Sequence, residues 1–550
     1  MTKRNKMKRT LLISGAALVA AAATAQDTTR PRAVNVTASF QPQLKEAAKI
    51  NFNATPPLAD TTRPVLQYRI PNQNLLFAFQ PGTLKPVALS VDSIVKWSNW
   101  NYVKAGYGTQ RTPYFETGLS IGNASTAGLN LYGNYFQSKG KLPFQEMAHG
   151  QFDAIGNLKA GAHHEVTARL GFQNDQFYRY GIDTASPAAF TKDSLSVRYT
   201  GFRGRLGLRN TNITAYGISY APELRFDVFG DNHNGRETAT YFNVPLRKTV
   251  DGRFEIEVAL DGGFISYESA AKVKSSNQFF QVSPSLFVKT ANLYLQAGIR
   301  PSWDNGMFDL MPNVLAEVGT ADKRLSVIGG WTGRVRPNTF QLLAGYNPWI
   351  AQPAATNNSR IEEIYGGIKG SVTDHFTYLA RGGVNRQVNA PLYVNEGKTN
   401  NSFGVIYETD MRTINVHLEA GYAVGDRFNV RSTLDMNRYT SLETEERAWG
   451  LPRLEFNTAL RLQVLRDLYL KGDIWAFDGI YWRDNAGQNG RTKGAVDASA
   501  GLEFAVYKNI KLWAQFNNLF NTQYQRWNQY QTYGFQFLGG IVFSFAQNTK

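Results

Sequence analysis

From Trp97 to the C-terminal region, apolar and polar residues alternate with a period of two, the spacing that places successive side chains on opposite faces of a β-strand. In the last run, Phe535, Phe537, Ile541, Phe543 and Phe545 share one face, with Gly534, Gln536, Gly540 and Ser544 on the other. Upstream, Leu454, Phe456, Leu460, Leu462 and Val464 alternate with Glu455, Asn457, Arg461 and Gln463. Leu468, Leu470 and Ile474 oppose Lys471 and Asp473, and Ile510, Leu512, Ala514 and Phe516 oppose Lys511 and Gln515. Strands that are apolar on one side and charged on the other suit a membrane barrel, its outer face in lipid and its inner face in a wet lumen. On the inner face of a soluble sandwich the same charges would be buried, at several kcal/mol each unless paired.

Tight polar turns punctuate the alternation at Asn123-Ala124, Lys159-Ala160, Thr211-Asn212, Asp251-Gly252, Ala291-Asn292, Asp322-Lys323, Thr373-Asp374, Asp426-Arg427, Arg466-Asp467 and Lys508-Asn509. Their spacing, mostly ~40 to ~50 residues, fits two strands of about ten residues plus one longer loop. Those turns and a strand at each terminus predict ~22 strands with both ends of the barrel on the periplasmic side. Parity then requires Asn401 to Val424 to be one long strand or a hairpin within a loop. The expected fold is all-β: a transmembrane antiparallel barrel over residues 99–546, preceded by a proline-rich extended periplasmic segment and completed by a closing strand that carries Phe535, Phe537, Phe543 and Phe545.

The start of the chain has a different texture. Lys3, Arg4, Lys6, Lys8 and Arg9 precede the apolar run Leu11 to Ala23, and Ala23-Thr24-Ala25 supplies small residues before Gln26. This is the pattern of a secretory signal peptide over residues 1–25, too short for a span of ~20 apolar residues. Residues 26–98 hold eight of the 21 prolines and the single glycine Gly82, which favours an extended periplasmic arm over a folded domain.

Composition narrows the class further. A mean hydropathy of −0.35 excludes a helical membrane bundle and admits a barrel, because alternation dilutes hydropathy. Removing the five leader cations and no acid takes the formal charge from +16 to +11. That excess suits an acidic partner such as lipopolysaccharide phosphate or an anionic solute, although charges spread along strands and loops are the simpler reading. The chain has no cysteine, which excludes disulfides, thiol chemistry and a lipid anchor on cysteine.

Catalytic chemistry is sparse. The six histidines, His149, His163, His164, His233, His375 and His417, form no metal-binding spacing, and the adjacent pair would face opposite sides of a strand. The acidic run Glu443-Thr-Glu-Glu446 has carboxylates for Ca²⁺, but a solvated loop is the plainer reading. Neither a nucleophile elbow nor a phosphate loop is present. We therefore expect no catalytic, cofactor or metal residues, no enzyme activity and no nucleic-acid partner.

The segment Leu512-Trp-Ala-Gln-Phe-Asn-Asn-Leu-Phe-Asn521, the aromatic loop with Tyr524, Trp527 and Tyr530, the stretch Trp449-Gly-Leu-Pro-Arg453 and the closing strand to Phe545 resemble the barrel ends of TonB-dependent receptors. The resemblance implies 22 strands, an outer-membrane location, insertion by the barrel-assembly machinery, and contact with outer-membrane lipid and lipopolysaccharide. The family also carries a folded plug, for which residues 26–98 are too few and too proline-rich, so the resemblance is to plug-less barrels. Val34, Asn35, Val36, Thr37 and Ala38 look like a TonB box, which pairs with a periplasmic partner by strand addition.

A barrel this wide leaves an aqueous lumen unless something fills it. The candidates are the loop Thr339 to Arg360 with Phe340, Tyr346, Pro348 and Trp349, the loop Arg438 to Leu451 with Glu443, Glu445, Glu446 and Trp449, the N-terminal arm, or a partner. Most loop Trp and Tyr residues are expected in the headgroup belt. Three functions follow: a solute uptake channel or gated transporter with Arg461, Lys471, Asp473 and Lys511 as lumen charges; a barrel subunit of an assembly, secretion or surface-protein complex; and, third, a barrel enzyme.

Overall fold

The computed structural model describes residues 100–123, 126–182, 190–322, 324–425 and 427–546. The leader, the proline-rich stretch and the Val34–Ala38 segment lie outside the described residues. Within them, 22 antiparallel strands follow one another around a closed barrel. One of these, Ile218–Tyr220 continued by Glu223–Asp231, is interrupted at Ala221-Pro222, where proline has no N–H to give to the ladder. The barrel closes where Trp100–Gly108 pairs with Gln536–Ala546, in register from Trp100 opposite Ala546 to Gly108 opposite Leu538.

The turns read at Asp251-Gly252, Ala291-Asn292, Thr373-Asp374, Arg466-Asp467 and Lys508-Asn509 fall at tight connections of one end, such as Thr249 to Phe254, Lys289 to Leu293, Leu465 to Leu468 and Tyr507 to Ile510, while Thr211-Asn212 opens the longer connection from Asn210 to Ile218. Lys159-Ala160 is displaced by a residue, ending the strand Glu146–Ala160. Side chains fix these turns locally. Asp251 accepts the amides of Arg253 at 2.7 Å and Phe254 at 2.8 Å, and those bonds lower its pKa. Asn401 to Val424 resolves as one strand, Ser402–Val424, of 23 residues. Its partner Phe376–Glu396 has 21, about twice what a membrane crossing needs.

The pleat separates two environments. Leu170, Phe172, Phe202, Leu206, Phe226 and Val228 are among the exposed apolar side chains of the outer face, an apolar band that fits lipid and places the barrel in the outer membrane. Phe537 and Phe543 of the closing strand, and Phe535 just before it, are exposed on the same face, and Phe545 stacks on Phe543. Among the described residues no helix is long and apolar enough to cross a membrane.

The closing seam depends on small residues. Gly106 stands opposite Gly540, and a Cβ on Gly540 would lie 2.0 Å from the Ala105 carbonyl. The Trp513 ring covers Gly106 from the lumen side and donates to the Ala105 carbonyl at 3.2 Å. Leu538 and Val542 point inward with Gln536 and are buried, so this strand carries apolar residues on both faces.

Candidate functional site

The inner wall is a lattice of charges paired across neighbouring strands. Arg169 meets Asp153 at 2.8 Å, Arg203 and Arg225 meet Asp227 at 3.0 and 2.5 Å, and Arg247 meets Glu257 at 2.6 Å. His417 lies between Asp435 at 2.7 Å and Glu419 at 2.9 Å. Pairing is what permits so many charges on partly desolvated strands, since each one alone would carry a large desolvation cost.

The four lumen charges read from the sequence face inward. Arg461 and Lys471 are register partners. Lys471 pairs with Glu503 at 2.6 Å, Arg461 lies over the Tyr469 ring at 5.2 Å, and Lys511 sits diagonally from Glu503 across the Glu503–Trp513 rung. Lys104, on the other side of the seam, rests over Trp513 at 4.3 Å. Asp473 projects two residues beyond Lys471, opposite Ala459 and Ser499. The structure thus gathers three of the four into one basic strip around Glu503.

At the end opposite the tight turns, long loops turn into the lumen. The loop at 338–357 carries a short helix, Phe340–Tyr346, capped by Thr339, whose hydroxyl accepts the Leu342 amide at 3.0 Å. Glu237 on the barrel wall reaches the same helix end, accepting the amides of Phe340 and, at 3.1 Å, Gln341. A buried carboxylate at the positive end of a helix satisfies donors that otherwise have no intrahelical partner. Phe340 then meets Tyr199, Phe229 and Tyr267 of the wall, with ring centroids 5.3 to 6.0 Å apart.

The loop at 518–535 meets it from the other side. Trp349 stacks on Tyr530 at 3.9 Å, Tyr180 packs edge-on against both, and Phe403 meets Trp527 and Tyr530. These residues belong to one buried cluster that also includes Tyr114, Phe136, Trp513 and Leu538. The cluster joins wall residues from separate parts of the barrel through loop residues between them, and so forms an aromatic cap across the outer mouth. Burial pushes the hydroxyls of Tyr180, Tyr530 and Tyr533 up, which keeps them neutral donors. Tyr530 donates to the Asn401 carbonyl at 2.5 Å and Tyr180 to the Gln531 carbonyl at 2.8 Å.

A third loop is locked to the other two through Arg526. Its guanidinium donates to the Gly450 carbonyl at 3.3 Å and to the Tyr346 hydroxyl at 3.0 Å, and lies 4.7 Å over Trp527. Gly450 needs its freedom here: its φ is +79°, and a Cβ would lie 2.9 Å from Tyr393 and 3.0 Å from Trp527.

Several expectations change. The filling loops are shorter than anticipated: the second starts later, since Arg438 belongs to the strand Phe428–Leu442, and the first ends earlier, since Asn358 already begins the strand Asn358–Val372. Trp349, Trp527 and Tyr530 pack in one cluster and Trp449 in another with Leu392 and Met411, so the headgroup belt does not claim them. The acidic run 443–446 wraps its amides around Glu408, which accepts Glu443 at 2.7 Å, Thr444 at 2.9 Å and Glu445 at 2.8 Å. Glu445 itself holds Arg483 at 2.6 Å. Among the described residues no group of three or more His, Asp or Glu is arranged for a metal ion. His163 and His164 sit at a turn and a strand start, beside Asn212 and Tyr220. Glu237, Glu408 and Arg526 escaped the sequence reading because nothing local marks a residue whose partners lie from about 35 to 180 positions away.

No protein-family model matches the sequence, and no curated protein matches it. Among solved structures, the chain is similar to the siderophore receptor PirA from Acinetobacter baumannii, with a TM-score of 0.63 at 10% identity over 82% of this chain and 80% of that one. The FrpB iron transporter from Neisseria meningitidis gives 0.63 at 10% identity over 81% of each chain. Its fold is that of the TonB-dependent receptor barrels. The copper transporter OprC extends the likeness, with a TM-score of 0.61 at 14% identity over 82% of this chain and 83% of that one. In this barrel, the inward loops and the wall share one buried aromatic cluster at the end opposite the tight turns.

Proposed function

We propose that the protein is an outer-membrane uptake barrel that admits a small charged solute when its aromatic cap moves. The observation that carries this reading is the cap, because a cluster of loop aromatics held by Glu237 and Arg526 obstructs a lumen otherwise lined with solvated charge. The neighbours in fold are a siderophore receptor, an iron transporter and a copper transporter, which supports uptake as the activity. In this reading Arg461, Lys471, Asp473 and Lys511 select the solute by charge. Residues 26–98 form a plug-less arm, and Val34 to Ala38 offer an edge strand to a periplasmic partner.

Single-channel recording in planar bilayers tests the proposal. The full chain should stay closed, and replacing Phe340 to Ile350 with a glycine-serine linker should open steps of large conductance. If that variant, combined with deletion of residues 27–95, remains impermeable while correctly folded, the uptake reading is wrong.

A further inference from the structure

The outer face holds a feature that solute uptake does not require. Strand Met307–Gly319 pairs with strand Ser326–Pro337 only from Asn313 to Gly319. Above that point Pro312 has no N–H to offer, the ladder lapses, and a cleft of about 370 Å³ enters the wall. Ile299, Leu310, Pro312, Val314 and Trp331 line it, with Arg360, Glu362 and Arg386 at one side. Ile299, Leu310 and Trp331 are exposed on the lipid-facing surface, so an apolar occupant can enter from the bilayer.

Beside the cleft, four arginines stand on four successive strands. Ile364, Val384, Ile414 and Met436 are exposed to lipid, and Arg360, Arg386, Arg412 and Arg438 lie an even number of residues from them on the same faces. The register confirms their proximity: Glu362, Arg386 and Arg412 share one rung, and Arg438 stands opposite Ile414 on the next outward-facing rung. Arg386 is matched by Asp410 at 2.5 Å and Arg360 by Asp309 at 3.6 Å, while Glu362 accepts the Trp331 indole N–H at 2.6 Å. Arg412 and Arg438 are exposed and have no ion-pair partner among the described residues.

Unpaired arginines on a lipid-facing wall are tolerated near the interface and costly at the midplane. The patch lies about one membrane crossing above the tight turns, with Arg386 the eleventh residue of Phe376–Glu396 and Arg438 the eleventh of Phe428–Leu442, which is where outer-leaflet headgroups begin. Guanidinium groups there bind phosphate oxygens through paired, charge-assisted hydrogen bonds. We infer that the cleft and the Arg412–Arg438 patch form a site for a phosphate-bearing lipid of the outer leaflet. Its acyl chain lies in the cleft against Leu310, Val314 and Trp331, and its phosphate meets Arg412 and Arg438. The inference stands on the outer surface and does not depend on what crosses the lumen.

Native mass spectrometry of the full-length barrel released from neutral micelles tests it, with diphosphoryl lipid A, phosphatidylcholine and inorganic phosphate as separate probes. The wild type should retain lipid A and release phosphatidylcholine. The pair Arg412→Gln and Arg438→Gln should cut retention about tenfold, the loss of one charge-assisted contact or more. Val314→Trp, which fills the cleft and leaves the arginines in place, should weaken the lipid alone. Folding of each variant is checked by its heat-modifiable electrophoretic shift. Equal lipid A retention by wild type and the arginine variant overturns the site. Binding of inorganic phosphate as tight as that of lipid A, unaffected by Val314→Trp, overturns the lipid as its occupant.

Discussion

Strand Ser402–Val424 and the loop at 338–357 border the same lumen, yet they are held in place in different ways. The strand is fixed by ladders to both neighbours and by a pleat that sends Ile414 and Leu418 to lipid and His417 and Asn415 inward. Each of those placements follows from residues one or two positions away. The loop has about two turns of helix and is fixed by partners far along the chain: Glu237, Tyr199, Gly450 and Tyr530. The wall therefore behaves as a repeated local unit, while the cap is one cooperative cluster of contacts between loops. A gate built this way can detach without unravelling the barrel that carries it.

The largest test of this contrast breaks the wall. Deleting Tyr533 to Phe545 removes the strand that pairs with Trp100–Gly108 and should abolish membrane insertion, whereas deleting residues 546–550 should not. Heat-modifiable migration distinguishes folded from unfolded chains, and equal loss in both constructs would show that closure needs the tail as well. Next comes the cap. Trp527→Ala removes a buried indole that touches Tyr346, Tyr393 and Phe403, at a cost of ~3 to 5 kcal/mol. Proteolysis within residues 338–357 should accelerate while the melting temperature of the barrel stays unchanged. If wall and cap melt together, they are one unit and the comparison fails.

A smaller effect is expected from Glu237→Ala, which leaves the Phe340 and Gln341 amides without their carboxylate and should loosen the same loop by ~1 to 3 kcal/mol. Smaller again is Lys471→Gln. The pair is about one-fifth exposed, but Lys104 and Lys511 remain to offset the Glu503 charge, so the cost to stability should stay at ~1 kcal/mol, while in a cap-deleted channel the reversal potential should shift toward cations. An unchanged potential would remove Lys471 from the selectivity strip. The smallest change belongs to a single turn. Because its two amide bonds depress the Asp251 pKa, the turn is stabilised above the unfolded aspartate value of ~3.9 and loses that stabilisation as pH falls through the lower folded value. Protection of the Arg253 and Phe254 amides, taken relative to their intrinsic exchange rates, should fall in acid in the wild type, and at neutral pH in Asp251→Ala, with the rest of the barrel unaffected.

Much of the wall was legible in the chain. Alternation told which face of each strand meets lipid, and turn residues such as Asp251, Asn292 and Asn509 marked where strands reverse. The parity of those turns left one long strand or a hairpin within a loop for Asn401 to Val424, and the structure has the strand, Ser402–Val424. Arg461, Lys471, Asp473 and Lys511 fall on the face opposite the apolar residues of their strands, because period two leaves no other choice once the apolar face is known. Their partners were not legible. Glu503 pairs with Lys471 only through the register of two strands 32 residues apart in sequence, and Trp349 looked like any interfacial tryptophan until Tyr530 was found stacked on it.

By itself, then, the sequence determined the all-β class, the strand number, the sidedness of each strand and the turns of one end. Each of these rests on interactions between residues close in sequence or on the pleat that they share. Only the tertiary structure decided what fills the outer mouth, which lumen charges neutralise one another, and where the ladder lapses beside Pro312 to open a cleft toward lipid. The cap joins residues 100 or more positions apart, the ion pairs depend on strand register, and a loop's composition carries no periodicity that says which distant side chain it will meet.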